Sequence, residues 1–302
     1  MGINADTLID RLYLKAQINK WRGLAMLFAI ATLLIASYGA IPSKTKDNDY
    51  IARFTLSGVI GDDQKIYNLI SSIEDDKKIK AVIVWLDTPG GSAVGGEEIY
   101  LRLRKLSEKK PVVAVMRSIS ASAGYMIALG TERIFARAGT ITGSIGVLIQ
   151  TAEVTDLAEK LGIKPISIKS SPLKASPSPF EKSSPEGERV LKDMIMDFYD
   201  HFVSITAERR NLTHEKALIL ADGRVYSGTQ AVKNKLIDEI GGEDEAKNWL
   251  VENRGISKNL SIFDVEVESE NTLLDKMLNS IVGEFWQKSR VGLDGLVALW
   301  HH

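Results

Sequence analysis

Residues 81–91 read Ala-Val-Ile-Val-Trp-Leu-Asp-Thr-Pro-Gly-Gly, an unbroken apolar run that ends in a Pro-Gly-Gly turn. A run with no polar alternation is what a strand buried on both faces requires. Pro111–Met116 has the same form and leads into Ser118-Ile119-Ser120-Ala121-Ser122-Ala123-Gly124-Tyr125. Working outward, Ile51–Ile60 reads as a strand. Ile66, Leu69, Ile70 and Ile73 recur at helical spacing and make Gln64–Ile73 a helix. Gly95–Leu106 is a further helix, and Ile127–Leu129 continues another out of the Ser122 turn. Strands are also expected at Gly146–Gln150 and Ile163–Ile168, separated by a helix over Val154–Leu161. Strands alternating with helices predict an α/β domain with a largely parallel sheet. In such sheets the active site lies at the carboxyl ends of the strands.

Residues 169–185 form a Ser/Pro-rich irregular stretch, which composition alone reads as either a linker or a functional loop. A long helix follows at about Glu186–Arg209, then Thr213–Ala221, an Asp222-Gly223 turn, and helices near Gly228–Asn234 and Glu243–Glu252. Leu274, Met277, Leu278, Ile281 and Phe285 have helical spacing, so residues 256–302 read as a C-terminal helical tail. Residues 23–42 carry no charge, and about 20 apolar residues cover the ~30 Å hydrocarbon core of a bilayer. Arg11, Lys15, Lys20 and Arg22 precede the run; Lys44, Lys46 and Arg53 follow it, a slight bias toward a cytoplasmic N-terminus. A cleaved signal peptide is disfavoured by the long apolar run and the long polar lead. The expected organisation is a short cytoplasmic segment (1–22), a transmembrane anchor (23–42), a linker (43–49), a catalytic domain (50–255) and the tail.

Composition narrows the chemistry. Of 302 residues, Lys+Arg 38 and Asp+Glu 39 give a net charge of -1, leaving no basic footprint for nucleic acid. With no cysteine, thiolate nucleophiles, disulfides and thiolate metal sites are impossible. The four histidines (His201, His214, His301, His302) read as surface or packing residues, so a Ser-His-Asp triad or a His-rich metal site is poorly supplied. No cofactor or metal is expected.

Two strand-end loops remain. In Asp87-Thr88-Pro89-Gly90-Gly91-Ser92 the paired glycines let backbone N–H groups face a cleft, as an oxyanion hole needs, although Pro-Gly-Gly is also an ordinary turn. Ser122 stands on a strand-to-helix turn, where a serine is either an exposed nucleophile or a helix N-cap. The N–H groups of Gly91 and Ala123 are candidate oxyanion donors. A serine hydroxyl needs a base. A lysine serves only if burial lowers its pKa by ~3 units from about 10.4, at roughly 1.4 kcal/mol each. Composition does not select which lysine.

Taken together in order, several segments resemble the signal peptide peptidase A family, serine peptidases of the Clp protease/crotonase fold. They are Asp87-Thr88-Pro89-Gly90-Gly91, Ser120-Ala121-Ser122-Ala123-Gly124-Tyr125-Met126-Ile127-Ala128, Thr142-Gly143-Ser144-Ile145-Gly146-Val147, residues 221–228 and residues 236–241. The resemblance covers about residues 50–245. It implies a repeated β-β-α superhelix, Ser122 as nucleophile, Lys174 as general base and Ser144 as a helper that positions the amine. Lys169 and Lys182 are the competing lysines of the same stretch. It also implies peptide substrates such as cleaved signal peptides, a ring-like homo-oligomer whose subunits complete each other's sites, and an extracytoplasmic catalytic domain on the bacterial inner membrane. Two positions depart from the family: Ala123 stands where glycine is usual, and Leu173-Lys174-Ala175 replaces Tyr-Lys-Asp. A crotonase-like acyl-CoA enzyme is the alternative within this fold, disfavoured by the anchor and the lack of a basic patch. A catalytically inactive membrane scaffold is the non-enzymatic alternative.

Overall fold

The computed structural model describes residues 14, 15, 17–30, 48–266 and 297–299. The chain forms two compact units, Met1–Asn48 and Asp49–His302. In the first, residues 17–30 are helical, with Trp21, Leu24, Met26 and Leu27 exposed. Among the described residues no helix is long and apolar enough to cross a membrane. Residues 31–42 of the expected anchor lie outside the described residues.

The second unit is a mixed α/β fold. Its strands are β1 (Tyr50–Ile60), β2 (Ile79–Ser92), β3 (Val112–Ala121), β4 (Arg133–Ala136), β5 (Ile141–Gly143), β6 (Val225–Ser227), β7 (Glu239–Ile240), β8 (Ile262–Asp264) and β9 (Val297–Leu299). Between them run α1 (Gln64–Asp75), α2 (Ala93–Ser107), α3 (Ala123–Leu129), α4 (Thr155–Lys160), α5 (Pro185–Arg210), α6 (His214–Leu220), α7 (Gly228–Lys233) and α8 (Glu243–Arg254). β8, β1, β2 and β3 lie side by side and parallel.

The unpatterned apolar runs are explained by two cores. Val82, Val84, Leu86, Val112, Ala114 and Met116 face one layer with Ile70, Ile99 and Leu103 of α1 and α2. Their neighbours Ala81, Ile83, Val113 and Val115 face the other, with Ala246 and Leu250 of α8. Side chains alternate across a strand, so burying both faces demands apolar residues at every position.

β3 is shared between two branches. Its first half pairs with β4, which pairs with β7; its second half pairs with β5, which pairs with β6. The Ser122 turn leaves from the second branch. Tyr125 in α3 is wholly buried, and its hydroxyl donates to the Leu236 carbonyl at 2.8 Å. Burial holds the phenol far above its ordinary pKa. Tyr125→Phe leaves that carbonyl unpaired and is expected to cost about 1–3 kcal/mol. It should appear as a lower urea midpoint with unchanged slope.

Three expectations are corrected. Residues 146–150 form no strand: β5 ends at Gly143, where φ is 80, and Ser144 follows at φ 50, so the backbone leaves the ladder. Residues 163–168 are irregular and belong to no strand. Ile166 and Ile168 are 86% and 97% exposed, so the apolar signal there is not a core signal of the single chain. The sheet also runs past residue 255, since β8 pairs with β1 through Ile51↔Ile262. The tail helix expected over 273–286 lies outside the described residues.

Candidate active site

β3 delivers Ser122 at its carboxyl end. Ala121 pairs with Gly143, the Ser122 N–H donates to the Gly143 carbonyl at 2.8 Å, and the Ser122 carbonyl accepts from Met126 N–H at 3.0 Å. Held at both ends, Ser122 adopts φ 53, ψ −119. For a residue with a Cβ this conformation costs about 1–3 kcal/mol and persists only where the surroundings impose it. Its side chain makes no capping hydrogen bond to α3, so the N-cap alternative has no side-chain bond behind it. Among the described residues five non-glycines have positive φ: Ser122, Ser144, Ala175, Asn211 and Lys235. Asn211 caps α5, an ordinary use of that conformation. The first two are among the residues expected at the site from the sequence, and Ala175 adjoins a third, Lys174.

Ser144 continues from the strand beside Ser122, and its N–H donates to the Arg224 carbonyl at 2.9 Å. β5 and β6 are antiparallel, with Thr142 opposite Tyr226. The motifs around residues 142–147 and 221–228 thus meet in space. A Cβ on Gly143 would stand 2.5 Å from the Tyr226 ring.

Gly91 lies at the end of β2, buried. A Cβ there would meet the Ile60 carbonyl oxygen at 2.0 Å, so only glycine lets β1 approach this closely. The preceding Gly90 N–H donates to Thr88 Oγ1 at 3.1 Å, and Thr88 is fully buried. The Asp87 carboxylate accepts from Ile119 N–H at 3.2 Å and so ties the Gly91 loop to the Ser122 loop. In the sequence Asp87 and Thr88 carry no sign of these partners beyond being a polar pair that closes a buried strand.

Ala123 opens α3 with ordinary helical backbone. Its methyl group is accommodated by Gly96 of α2, where an added Cβ would come within 2.9 Å of the Ala123 Cβ. The departure from the family pattern is therefore matched by space across the helix pair. Gly96→Ala should gain about 1 kcal/mol of helix propensity and lose about 1–3 kcal/mol to overpacking. Combining it with Ala123→Gly is expected to return the packing loss, a coupling of about 1–2 kcal/mol in a double-mutant denaturation cycle. Beside Ala123 a small hollow lined by Ala93, Met126, Val147 and Phe202 holds about 10 Å3, the space of roughly one water. His201 Nε2 meets Glu97 Oε1 at 2.9 Å at this hollow.

Lys174 is not buried. It sits in a turn, its N–H donating to the Ser171 carbonyl at 3.1 Å, with its side chain exposed. The two competing lysines are engaged: Lys169 pairs with Glu181, holding that carboxyl below its usual range, and Lys182 lies 3.9 Å from Asp156. Among the described residues Lys174 has no ion-pair or hydrogen-bond partner for its amine. The stretch around it is no loose linker, since Val154 N–H donates to the Pro179 carbonyl at 2.7 Å. Ser176 Oγ lies so near Gly187 of α5 that a Cβ there would meet it at 2.3 Å. Ala175 takes φ 60, a conformation that suits the family's Asp better than alanine.

A family model described as Peptidase family S49 matches residues 104–257. The chain is 41% identical over 217 residues to the slr0021 protein of Synechocystis sp. (strain ATCC 27184 / PCC 6803 / Kazusa), named provisionally as a protease, covering 71% of this chain and 78% of that one. It is 35% identical over 217 residues to an Enterococcus faecium chain provisionally named signal peptide peptidase SppA, covering 67% of this chain and 63% of that one. It is 31% identical over 204 residues to Protease 4 of Haemophilus influenzae (strain ATCC 51907 / DSM 11121 / KW20 / Rd), covering 67% of this chain but only 33% of that protein.

Proposed function

Because this chain belongs to peptidase family S49 and is a serine peptidase, we propose that it is a membrane-anchored endopeptidase that degrades cleaved signal peptides and other apolar peptides through a Ser122/Lys174 dyad. The observation that carries the reading is the strained backbone at Ser122, held between Gly143 and Met126 with its side chain unused as a cap. In the proposed reaction, neutral Lys174 accepts the Ser122 Oγ proton as that oxygen attacks the scissile carbonyl. The N–H groups of Gly91 and Ala123 hold the oxyanion, and the protonated lysine passes its proton to the leaving amine as the C–N bond breaks. Water then loses a proton to the Lys174 amine as it attacks the acyl-enzyme carbonyl, and the protonated lysine returns that proton to Ser122 Oγ as the ester C–O bond breaks and the acid product leaves. Ser144 positions the lysine amine.

An amine in water is charged at neutral pH, so this mechanism needs Lys174 covered. A ring of chains of the Clp protease/crotonase fold supplies the cover in our reading. Support comes from the exposed apolar residues Leu157, Leu161, Ile163, Ile166, Ile168 and Phe180, grouped along the stretch of chain that carries Lys174, since large apolar side chains left in water in such number fit an interface. The uncharged run 23–42 anchors each chain in the bacterial inner membrane, with its N-terminus cytoplasmic and its catalytic domain outside.

The test uses purified full-length protein and a fragment beginning at Asn48, each given a signal-peptide library and a serine-directed phosphonate probe. Cleavage of apolar peptides with probe on Ser122 is expected. An assembled protein that neither cleaves nor takes the probe would refute the reading.

A further inference from the structure

The end of β2 has two backbone edges, and they are used differently. One is filled by β1, with Val59 opposite Gly90 and Ile60 opposite Gly91. The other belongs to β3 as far as Thr88↔Ser120, after which β3 turns away at Ser122. That vacated edge is taken by β9, antiparallel, with Leu299 opposite Gly90, Ala298 opposite Gly91 and Val297 opposite Ser92. A peptide whose carbonyl reached both Ser122 and the Gly91 N–H would have to lie along this strip. Strand addition of this kind takes its affinity from main-chain bonds and tolerates many sequences.

We infer that residues 297–299 are a built-in competitor for the peptide groove, a strand of the chain's own that covers the Gly90–Ser92 edge and must be displaced before substrate enters. The inference rests on the proposed peptidase reading of the Ser122 site. With three residue pairs the strand is at the short end of stable pairing, so an incoming peptide can displace it. Tethering gives it an effective concentration of about millimolar. A strand that leaves roughly one groove in ten open weakens the apparent affinity for an incoming peptide about tenfold.

The test is made in full-length Ser122→Ala protein, where bound peptide is not consumed. Two versions remove the competitor: one stops after Leu296, and one keeps every residue but carries Ala298→Pro, since proline disrupts a strand ladder. Affinity for a labelled apolar decapeptide is read by fluorescence anisotropy, and amide exchange is read at Gly90–Ser92. Both versions are expected to bind the peptide about tenfold more tightly, and without peptide to exchange faster at those amides. Unchanged affinity and exchange in both would overturn the inference. So would spontaneous loss of residues 297–302 from Ser122-intact protein but not from Ser122→Ala protein, because the segment would then be a substrate and not a plug. A tenfold shift in a protein with no Ser122-dependent cleavage would sink the dyad reading and keep this one.

Discussion

Ser122→Ala is expected to abolish peptide cleavage, with kcat lowered by about 10^4–10^6, and to abolish labelling by the phosphonate probe. The size follows from the chemistry: no other group can form the acyl-enzyme, and oxyanion donors alone retain only a small rate. Stability should stay within about 0.5 kcal/mol of the parent, because alanine keeps the Cβ and the Ser122 side chain makes no capping bond. Ser122→Gly separates chemistry from strain. It loses the same activity, yet relief of the φ 53 conformation should make it about 1–2 kcal/mol more stable than Ser122→Ala. Equal stability of the two variants in urea would show that the turn is unstrained. Normal turnover by Ser122→Ala would remove Ser122 from the mechanism.

Lys174→Ala is expected to lower kcat by at least about 10^3, with the Ser122→Ala/Lys174→Ala double variant no slower than Ser122→Ala alone, since groups that act as one unit are not additive. The exposure of Lys174 in a single chain makes a sharper experiment possible. If a second copy covers the amine and supplies the hydroxyl it serves, then inactive Ser122→Ala and inactive Lys174→Ala chains, reassembled in equal amounts, should recover about a quarter of parental activity. That is the share of sites in which an intact serine meets an intact lysine. Sites built within one chain recover nothing. Lys169→Ala and Lys182→Ala should stay within a few-fold of the parent, their amines being engaged by Glu181 and near Asp156. A deep loss in either, with Lys174→Ala active, would move the base.

The sequence was most legible where burial was complete within one chain. Residues 81–86 and 111–116 announced central parallel strands because both their faces are buried, and a fully buried strand cannot carry polar residues. The short strands β4 to β7 were missed, since two to four residues carry no readable period. Residues 163–168 misled for the opposite reason: Ile163, Ile166 and Ile168 are apolar without being buried in the chain, and sequence does not say whose core an apolar residue serves. Ala123 reads in sequence only as a departure from the family pattern, because the Gly96 that makes room for its methyl group faces it only in the fold.

By itself, then, the sequence determined the parallel α/β class, the two glycine- and serine-bearing loops at strand ends, and the absence of cysteine chemistry, because each depends on residue type along a continuous stretch. Tertiary structure alone decided that Ser122 is wedged between Gly143 and Met126 in a strained turn, that Lys169 and Lys182 are engaged while Lys174 is not, and that the Gly90–Ser92 edge is taken by residues 297–299. Those are relations between segments far apart in the chain, and strain, pairing and coverage exist only once packing has fixed which backbone meets which.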